Sequence, residues 1–121
     1  VVDSRDEKNP VPIGTFPSAP FEAFAKRGGR FGAHNLHENL PIPTSFKSDT
    51  LIIGTFFNAG VRVFDTSNPY QVHEVAYFVP GAPKLSPAGA IQINDVFVDE
   101  NRIVYAQDRF GGGLYILEMT I

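Results

Sequence analysis

The chain of 121 residues contains no cysteine, no tryptophan and a single methionine. Without cysteine it can form neither disulfide bonds nor thiolate metal sites, although this lack does not identify a cellular compartment. No apolar run approaches the roughly 20 residues that a membrane-spanning helix needs, so no membrane span is expected. The longest basic run is the pair Lys26-Arg27, and the net charge is −3. Because phosphate binding needs a basic surface, nucleic acid is not expected as a partner.

Phenylalanine, glycine and proline, by contrast, are abundant, with 11, 11 and 10 residues. Phenylalanine together with valine and isoleucine favours β-strands, since aromatic and β-branched side chains suit a pleated, half-buried surface. Glycine and proline are typical of the turns that join many short strands. The composition therefore predicts an all-β fold with a core of modest size.

The sequence also repeats itself, which predicts stacked copies of one supersecondary unit. The segment 2–17 matches 64–80, with Asp3 aligned with Asp65 at an offset of 62 residues. Further matches, with their offsets, are 51–55 and 103–107 at 52, 59–65 and 112–118 at 53, and, more weakly, His34-Asn35 and Asn94-Asp95 at 60. An insertion at 41–49, rich in turn-forming residues, explains why the offsets differ.

Each repeat is predicted to contain four short antiparallel strands, here called a to d. In strand c of the first complete unit, Val61 and Val63 alternate with Arg62 and Phe64, as in a half-buried strand. The predicted strands are 33–38 (a), 50–57 (b), 61–65 (c) and 73–79 (d), followed by 92–99 (a), 102–108 (b) and 113–119 (c). A short helical turn is predicted over 20–29, where proline precedes the turn and glycine ends it.

Several of these segments resemble the LVIVD-repeat family of bacterial β-propeller proteins. The resemblance is carried by Gly60–Pro69, by Gly113–Leu117 and by Asn94–Val98, in which Asn94 stands where the family usually has histidine. It covers nearly the whole chain and implies propeller blades of four antiparallel strands. It also implies a bacterial origin and an extracytoplasmic location, periplasmic or secreted. It implies little about function, because one architecture hosts many functions.

In propeller terms the chain forms an incomplete ring. Residues 1–17 would end one blade, 33–80 would form a complete blade, and 90–121 would form a third that lacks its last strand. Closed propellers use about four to eight blades, so this chain cannot close a ring alone. The sequence therefore predicts either a homo-oligomer that completes the ring or association with the remainder of a longer parent chain.

The densest polar cluster lies in the first strand a and contains His34, Asn35, His37 and Glu38. On a regular strand His34 and Glu38 share one face, and Asn35 and His37 share the other. The two histidines would then face the same channel only if the strand bends or ends. Imidazole and carboxylate groups at this spacing offer ligands for a divalent metal ion. The alternative is that these side chains hydrogen-bond the backbone of neighbouring loops.

Two further candidates lie in the following unit. Asp95 occupies the place of Asn35 in the repeat, where a carboxylate either pins neighbouring blades or lines a common channel mouth with His34. His34, Glu38 and Asp95 together form the candidate metal set. Arg109 follows Asp108 and precedes a run of glycines, which favours a local ion pair or a turn. The alternative is that Arg109 binds an anionic ligand.

The sequence leaves three functions open. The first is a non-catalytic propeller module that binds a partner or small ligand near His34, Asn35, His37, Glu38, Asp95 and Arg109, since function concentrates in loops on a rigid scaffold. The second is a metal-dependent hydrolase or lyase, and a divalent metal ion is the only cofactor that the residues indicate. The third is a purely structural fragment. No Gly-x-Ser-x-Gly elbow or phosphate-binding loop is present.

Overall fold

The computed structural model describes residues 1–17 and 20–121. Nearly all regular secondary structure in the described part is β-strand, so the predicted all-β class is confirmed. The elements in chain order are β1 (Val2–Asp3), β2 (Val11–Pro12), α1 (Phe21–Ala25), β3 (Leu51–Thr55), β4 (Val61–Asp65), β5 (His73–Phe78), β6 (Ile93–Val98), β7 (Ile103–Asp108) and β8 (Leu114–Glu118). The short helix α1 falls within the predicted range 20–29. No helix in this part of the chain has the length and apolar character needed to cross a membrane.

The strands form three antiparallel sheets: a two-stranded hairpin β1-β2 and two three-stranded sheets, β3-β4-β5 and β6-β7-β8. Each strand of the two larger sheets begins and ends within two residues of its predicted bounds. This agreement reflects clear apolar alternation between segments of turn-forming residues.

The first predicted strand a, residues 33–38, is not a regular strand. It runs along β3 and is joined to it by a single bridge between Leu36 and Gly54. His34 and Asn35 together oppose Thr55, because the His34 N–H donates to the Thr55 carbonyl while the Thr55 N–H donates to the Asn35 carbonyl. Two residues opposite one form a β-bulge, which bends the segment and re-aims its side chains.

The pairing registers follow the repeats of the sequence. All five residue pairs of the β3-β4 hairpin have a counterpart in the β7-β8 hairpin at the offsets 52 and 53; for example, Ile53 pairs with Val63, and Tyr105 pairs with Ile116. The bridge between Leu36 and Gly54 corresponds to the pairing of Val96 with Ala106.

The hairpin β1-β2 also follows the sequence repeat. Val2 pairs with Pro12, and at the offset of 62 Phe64 pairs with Glu74. Its turn is also repeated, since the Asp3 carboxylate accepts the N–H two residues ahead, as the Asp65 carboxylate does. β1 and β2 therefore correspond to the end of the β4-β5 hairpin.

The core has two parts that lie on opposite faces of β4. Val61 and Val63 belong to a cluster that joins the two three-stranded sheets, together with Ile93 and Val98 of β6. Phe64 belongs to a second cluster with buried phenylalanines from α1 and the β3-β4 loop, against which Phe16 packs at a ring distance of 5.1 Å. The alternation of β4 thus serves two interfaces, which explains why the strand is buried almost throughout.

One buried ion pair crosses from β4 to β5. A guanidinium nitrogen of Arg62 lies 2.9 and 2.8 Å from the two carboxylate oxygens of Glu74, and the Arg62 side chain is 3% exposed. The guanidinium also stacks between the rings of Phe24 and Tyr77, with centroid distances of 5.1 and 5.4 Å. The guanidinium charge can therefore be buried, because a carboxylate and two aromatic faces interact with it.

Candidate functional site

The bulged segment after residue 33 and strand β6 border a cleft of about 480 Å³. The residues that line it are His34, Asn35, Leu36, His37, Glu38, Leu40, Asp95, Val96 and Phe97. Five of the six predicted site residues are therefore brought together in one cleft. The sixth, Arg109, is not part of it.

His34 reaches from the bulge to the neighbouring sheet. Its Nδ1 lies 2.7 Å from the carbonyl oxygen of Asn94, and its ring packs on Phe57 at a centroid distance of 4.7 Å. Since a carbonyl oxygen can only accept, Nδ1 must carry the proton and donate. Nε2 of His34 has no hydrogen-bond partner among the residues the structure describes, so it can serve a ligand.

His37 is placed differently, because both of its ring nitrogens are already used. Nδ1 accepts a hydrogen bond from the Val98 N–H at 3.1 Å, and Nε2 donates to the Phe46 carbonyl at 2.9 Å. This pattern fixes the neutral tautomer with its proton on Nε2. His37 therefore links the 41–49 insertion, which contains Phe46, to strand β6. It borders the cleft, but its role there is structural.

The side chains of both histidines point toward β6, so they face the same cleft. A regular strand would place His34 and His37 on opposite faces, and a bent one would not. The β-bulge at His34 and Asn35 supplies the bend. Sequence alternation could not reveal this, because a bulge depends on the partner strand.

The acidic side of the cleft is formed by Asp95 and Glu38. Asp95 Oδ1 accepts hydrogen bonds from Asn35 Nδ2 at 3.2 Å and from the Val96 N–H at 3.0 Å. The Glu38 side chain is exposed, and neither carboxylate forms an ion pair within the described ranges. No lysine or arginine lines the cleft, so its negative charge is uncompensated.

Arg109 lies on the β7-β8 loop, exposed, with its backbone N–H donating to the Gln92 carbonyl at 2.9 Å. The turn predicted for Asp108 and Arg109 is present, but its basis is not an ion pair between them. The Asp108 carboxylate instead accepts four backbone N–H groups, those of Gln92, Phe110, Gly111 and Gly112. The signal in the sequence was the aspartate before a glycine run, which favours a backbone-capped turn.

The candidate metal set His34, Glu38 and Asp95 shares the cleft without forming a ligand cage. Across residues 1–17 and 20–121, no three His, Asp or Glu side chains are arranged to hold a metal ion. The hydrogen bond from His34 Nδ1 to a carbonyl is nevertheless the orientation that metal-binding histidines commonly have. A metal-dependent activity stays a prediction.

The chemistry of the cleft follows from the groups that line it. Two carboxylates and one imidazole nitrogen accept hydrogen bonds, while Leu36 and Phe97 supply an apolar wall. Such a site attracts positive charge and donors of hydrogen bonds. Comparison with protein-family models, with curated proteins and with solved structures finds no match to this chain.

Proposed function

We propose that this chain is a non-catalytic binding module whose cleft holds a cationic, hydrogen-bond-donating group of a partner or small ligand. The observation that carries the proposal is the pair of carboxylates, Glu38 and Asp95, at a cleft that no lysine or arginine lines. A guanidinium or ammonium group there would satisfy carboxylate oxygens that have no cationic partner. His34 Nε2 adds a third acceptor at the same cleft.

The cleft is held in place before any ligand arrives, which supports binding as its function. Asn35 fixes the Asp95 carboxylate by a side-chain hydrogen bond, and His37 ties the bulged segment to β6 through Val98. Groups that are already positioned lose little conformational freedom on binding, so more of the interaction energy contributes to affinity.

We further propose that the scaffold is part of a β-propeller related to the LVIVD-repeat proteins. The support is the shared register of the repeated hairpins and the face-to-face packing of two sheets through Val63 and Val98. In a propeller the innermost strands of neighbouring blades border the central channel. The segment 34–37 and β6 are equivalent by the repeat and lie side by side, so the cleft would belong to the channel mouth.

The binding function is tested by titrating ¹⁵N-labelled protein with Nα-acetyl-L-argininamide and, separately, with Nα-acetyl-L-citrullinamide, its neutral isostere. We expect the cation to shift the amide resonances of residues 34–38 and 95–97 and the neutral compound to leave them unchanged. Glu38→Gln and Asp95→Asn should each weaken Nα-acetyl-L-argininamide binding about three- to fivefold, the contribution of a well-placed exposed ion pair.

Glu7→Gln is the matched control, because Glu7 is an exposed acid on the β1-β2 loop, away from the cleft. It should bind Nα-acetyl-L-argininamide as the unmodified protein does. Equal shifts with both compounds, or equal affinity for all three variants, would show that charge at the cleft does not determine binding.

A further inference from the structure

The outer edge of the second large sheet is a separate feature that does not depend on the function proposed for the cleft. Strand β8 holds the place in its sheet that β4 holds in the first, since the hairpins share all five pairings. In the first sheet the far edge of β4 is covered by β5. In the part of the chain that is described, no strand covers the corresponding edge of β8.

The first sheet shows what a covering strand looks like. Val61 pairs with Phe78, Arg62 with Tyr77 and Val63 with Ala76 in an antiparallel register. Val61 and Val63 lie on the face of β4 that packs against the second sheet, and they are 4% and 5% exposed. Their equivalents in β8, Leu114 and Ile116, are 58% and 64% exposed. The same positions are therefore buried in one sheet and open to solvent in the other.

A pair of glycines shows that the space beside the β8 edge is open. Gly60 and Gly113 are equivalent, and both have φ of +74°. A Cβ atom on Gly60 would lie 2.0 Å from the carbonyl oxygen of Phe78 in the covering region, whereas a Cβ on Gly113 would meet no atom within 4 Å. The space beside Gly113 thus matches the space that a strand backbone fills beside Gly60.

A cavity of about 460 Å³ lies between the two sheets next to this edge. Apolar side chains from both sheets line most of it, including Ala76, Val104, Leu117 and Met119. In the register of β5, every second side chain of a strand added to β8 would point from the edge into this cavity. The edge therefore offers backbone hydrogen-bonding groups beside an apolar pocket, which is the arrangement that recognises extended peptides.

We propose that the β8 edge binds an extended, antiparallel strand of a partner polypeptide that carries the side-chain pattern of β5. A large apolar residue would lie opposite Leu114, as Phe78 lies opposite Val61, and a small residue opposite Ile116, as Ala76 lies opposite Val63.

One position of the partner strand must differ from β5. Glu74 of β5 lies opposite Phe64 and binds Arg62, but β8 has Leu117 and Tyr115 at those two places. A carboxylate there would face apolar groups without a cation, which is unfavourable. The partner strand therefore carries an apolar residue where β5 has Glu74.

The test uses the full chain and a synthetic peptide with the sequence of residues 72–80 carrying Glu74→Val. We expect fluorescence anisotropy to show saturable binding, and NMR to show cross-peaks from the peptide to β8 in the register of β5. The same peptide with the native Glu74 should bind at least tenfold more weakly, because its carboxylate would be buried unpaired. Equal affinity of the two peptides, or no binding of either, would overturn the proposal.

Gly113→Ala provides the test on the protein, because its methyl group would meet the backbone of the bound strand. Gly89→Ala is its matched control: Gly89 also has positive φ, +65°, and open space around it, but lies on a different loop. We expect Gly113→Ala to weaken binding of the Glu74→Val peptide at least tenfold and Gly89→Ala to leave it unchanged. Equal affinities for these two variants would place the peptide elsewhere and overturn the proposal. If instead light scattering finds a defined multimer that the peptide dissociates, a second copy and not a separate partner fills the edge.

Discussion

At the scale of single residues, the β7-β8 loop depends on one carboxylate. Asp108 is 5% exposed, and its two oxygens accept four backbone N–H groups. Burial alone would raise the pKa of Asp108, but the hydrogen bonds from Gly112, Gln92 and the other two amides outweigh burial and hold the pKa below its usual value. The charged form is therefore favoured in the folded protein.

Asp108→Asn should lower the free energy of unfolding at neutral pH by about 2 kcal/mol or more, because an amide cannot replace a carboxylate that accepts four hydrogen bonds. Because the folded pKa lies below the unfolded value near 3.8, the stabilisation is complete above that pH. It is lost as the pH falls through the lower, folded pKa. Chemical denaturation of the variant should thus show a weaker loss of stability at acid pH.

Asp49→Asn is the control for this experiment, since Asp49 is an exposed acid. Its unfolding curve should coincide with that of the unmodified protein at neutral pH. A loss in the Asp108 variant no larger than in the Asp49 variant would mean that the four hydrogen bonds contribute little to stability.

At the scale of elements, the strands were largely predictable and the site only in part. Alternation and turn residues gave β4 its observed bounds, because a strand buried on both faces between two tight turns leaves few other choices. The sequence predicts a strand over 33–38 and leaves open whether it bends; the segment is bulged, since its course depends on Thr55 and on contacts with β6. Five of six site residues share the cleft; Arg109 does not, because local sequence does not fix which end of a sheet a loop occupies.

The equivalent glycines of the two hairpins should respond differently to substitution. Gly60→Ala combines a strained positive φ with a Cβ placed 2.0 Å from the Phe78 carbonyl, and that backbone cannot move without breaking the pairing of β4 with β5. Gly113→Ala carries the backbone strain alone, about 1–2 kcal/mol. We expect urea denaturation to show a loss of more than about 3 kcal/mol for Gly60→Ala, or failure to fold. Equal losses at the two positions would contradict this account.

At the scale of the whole molecule, the two large sheets form one packing unit. Ile93 is fully buried in the cluster that joins them, and its backbone exchanges two hydrogen bonds with Phe57 of the β3-β4 loop. β6 is therefore paired with β7 in its own sheet and also packs against the sheet β3-β4-β5. Neither sheet retains a complete core without its neighbour.

Ile93→Ala should lower the free energy of unfolding by about 2–5 kcal/mol, the usual cost of a cavity left by a large aliphatic side chain. Because the cluster is shared, hydrogen exchange should accelerate together in β4 and β7. Val75→Ala is a suitable control, since Val75 is 42% exposed on β5 and should have little effect. Faster exchange confined to β6–β8 would mean that the sheets unfold independently.

The ion pair between Arg62 and Glu74 has a consequence for how the chain folds. Two strands, β4 and β8, have related patterns, so β5 has more than one candidate neighbour while the chain is still unfolded. Only β4 offers a cation at the position that Glu74 must reach, because β8 has Tyr115 there. A mispaired β5 would bury a lone carboxylate and dissociate, whereas the correct hairpin keeps it. We therefore expect the charged pair to favour pairing of β5 with β4 over pairing with a similar strand. A chain of repeats needs such discrimination more than a chain whose strands all differ.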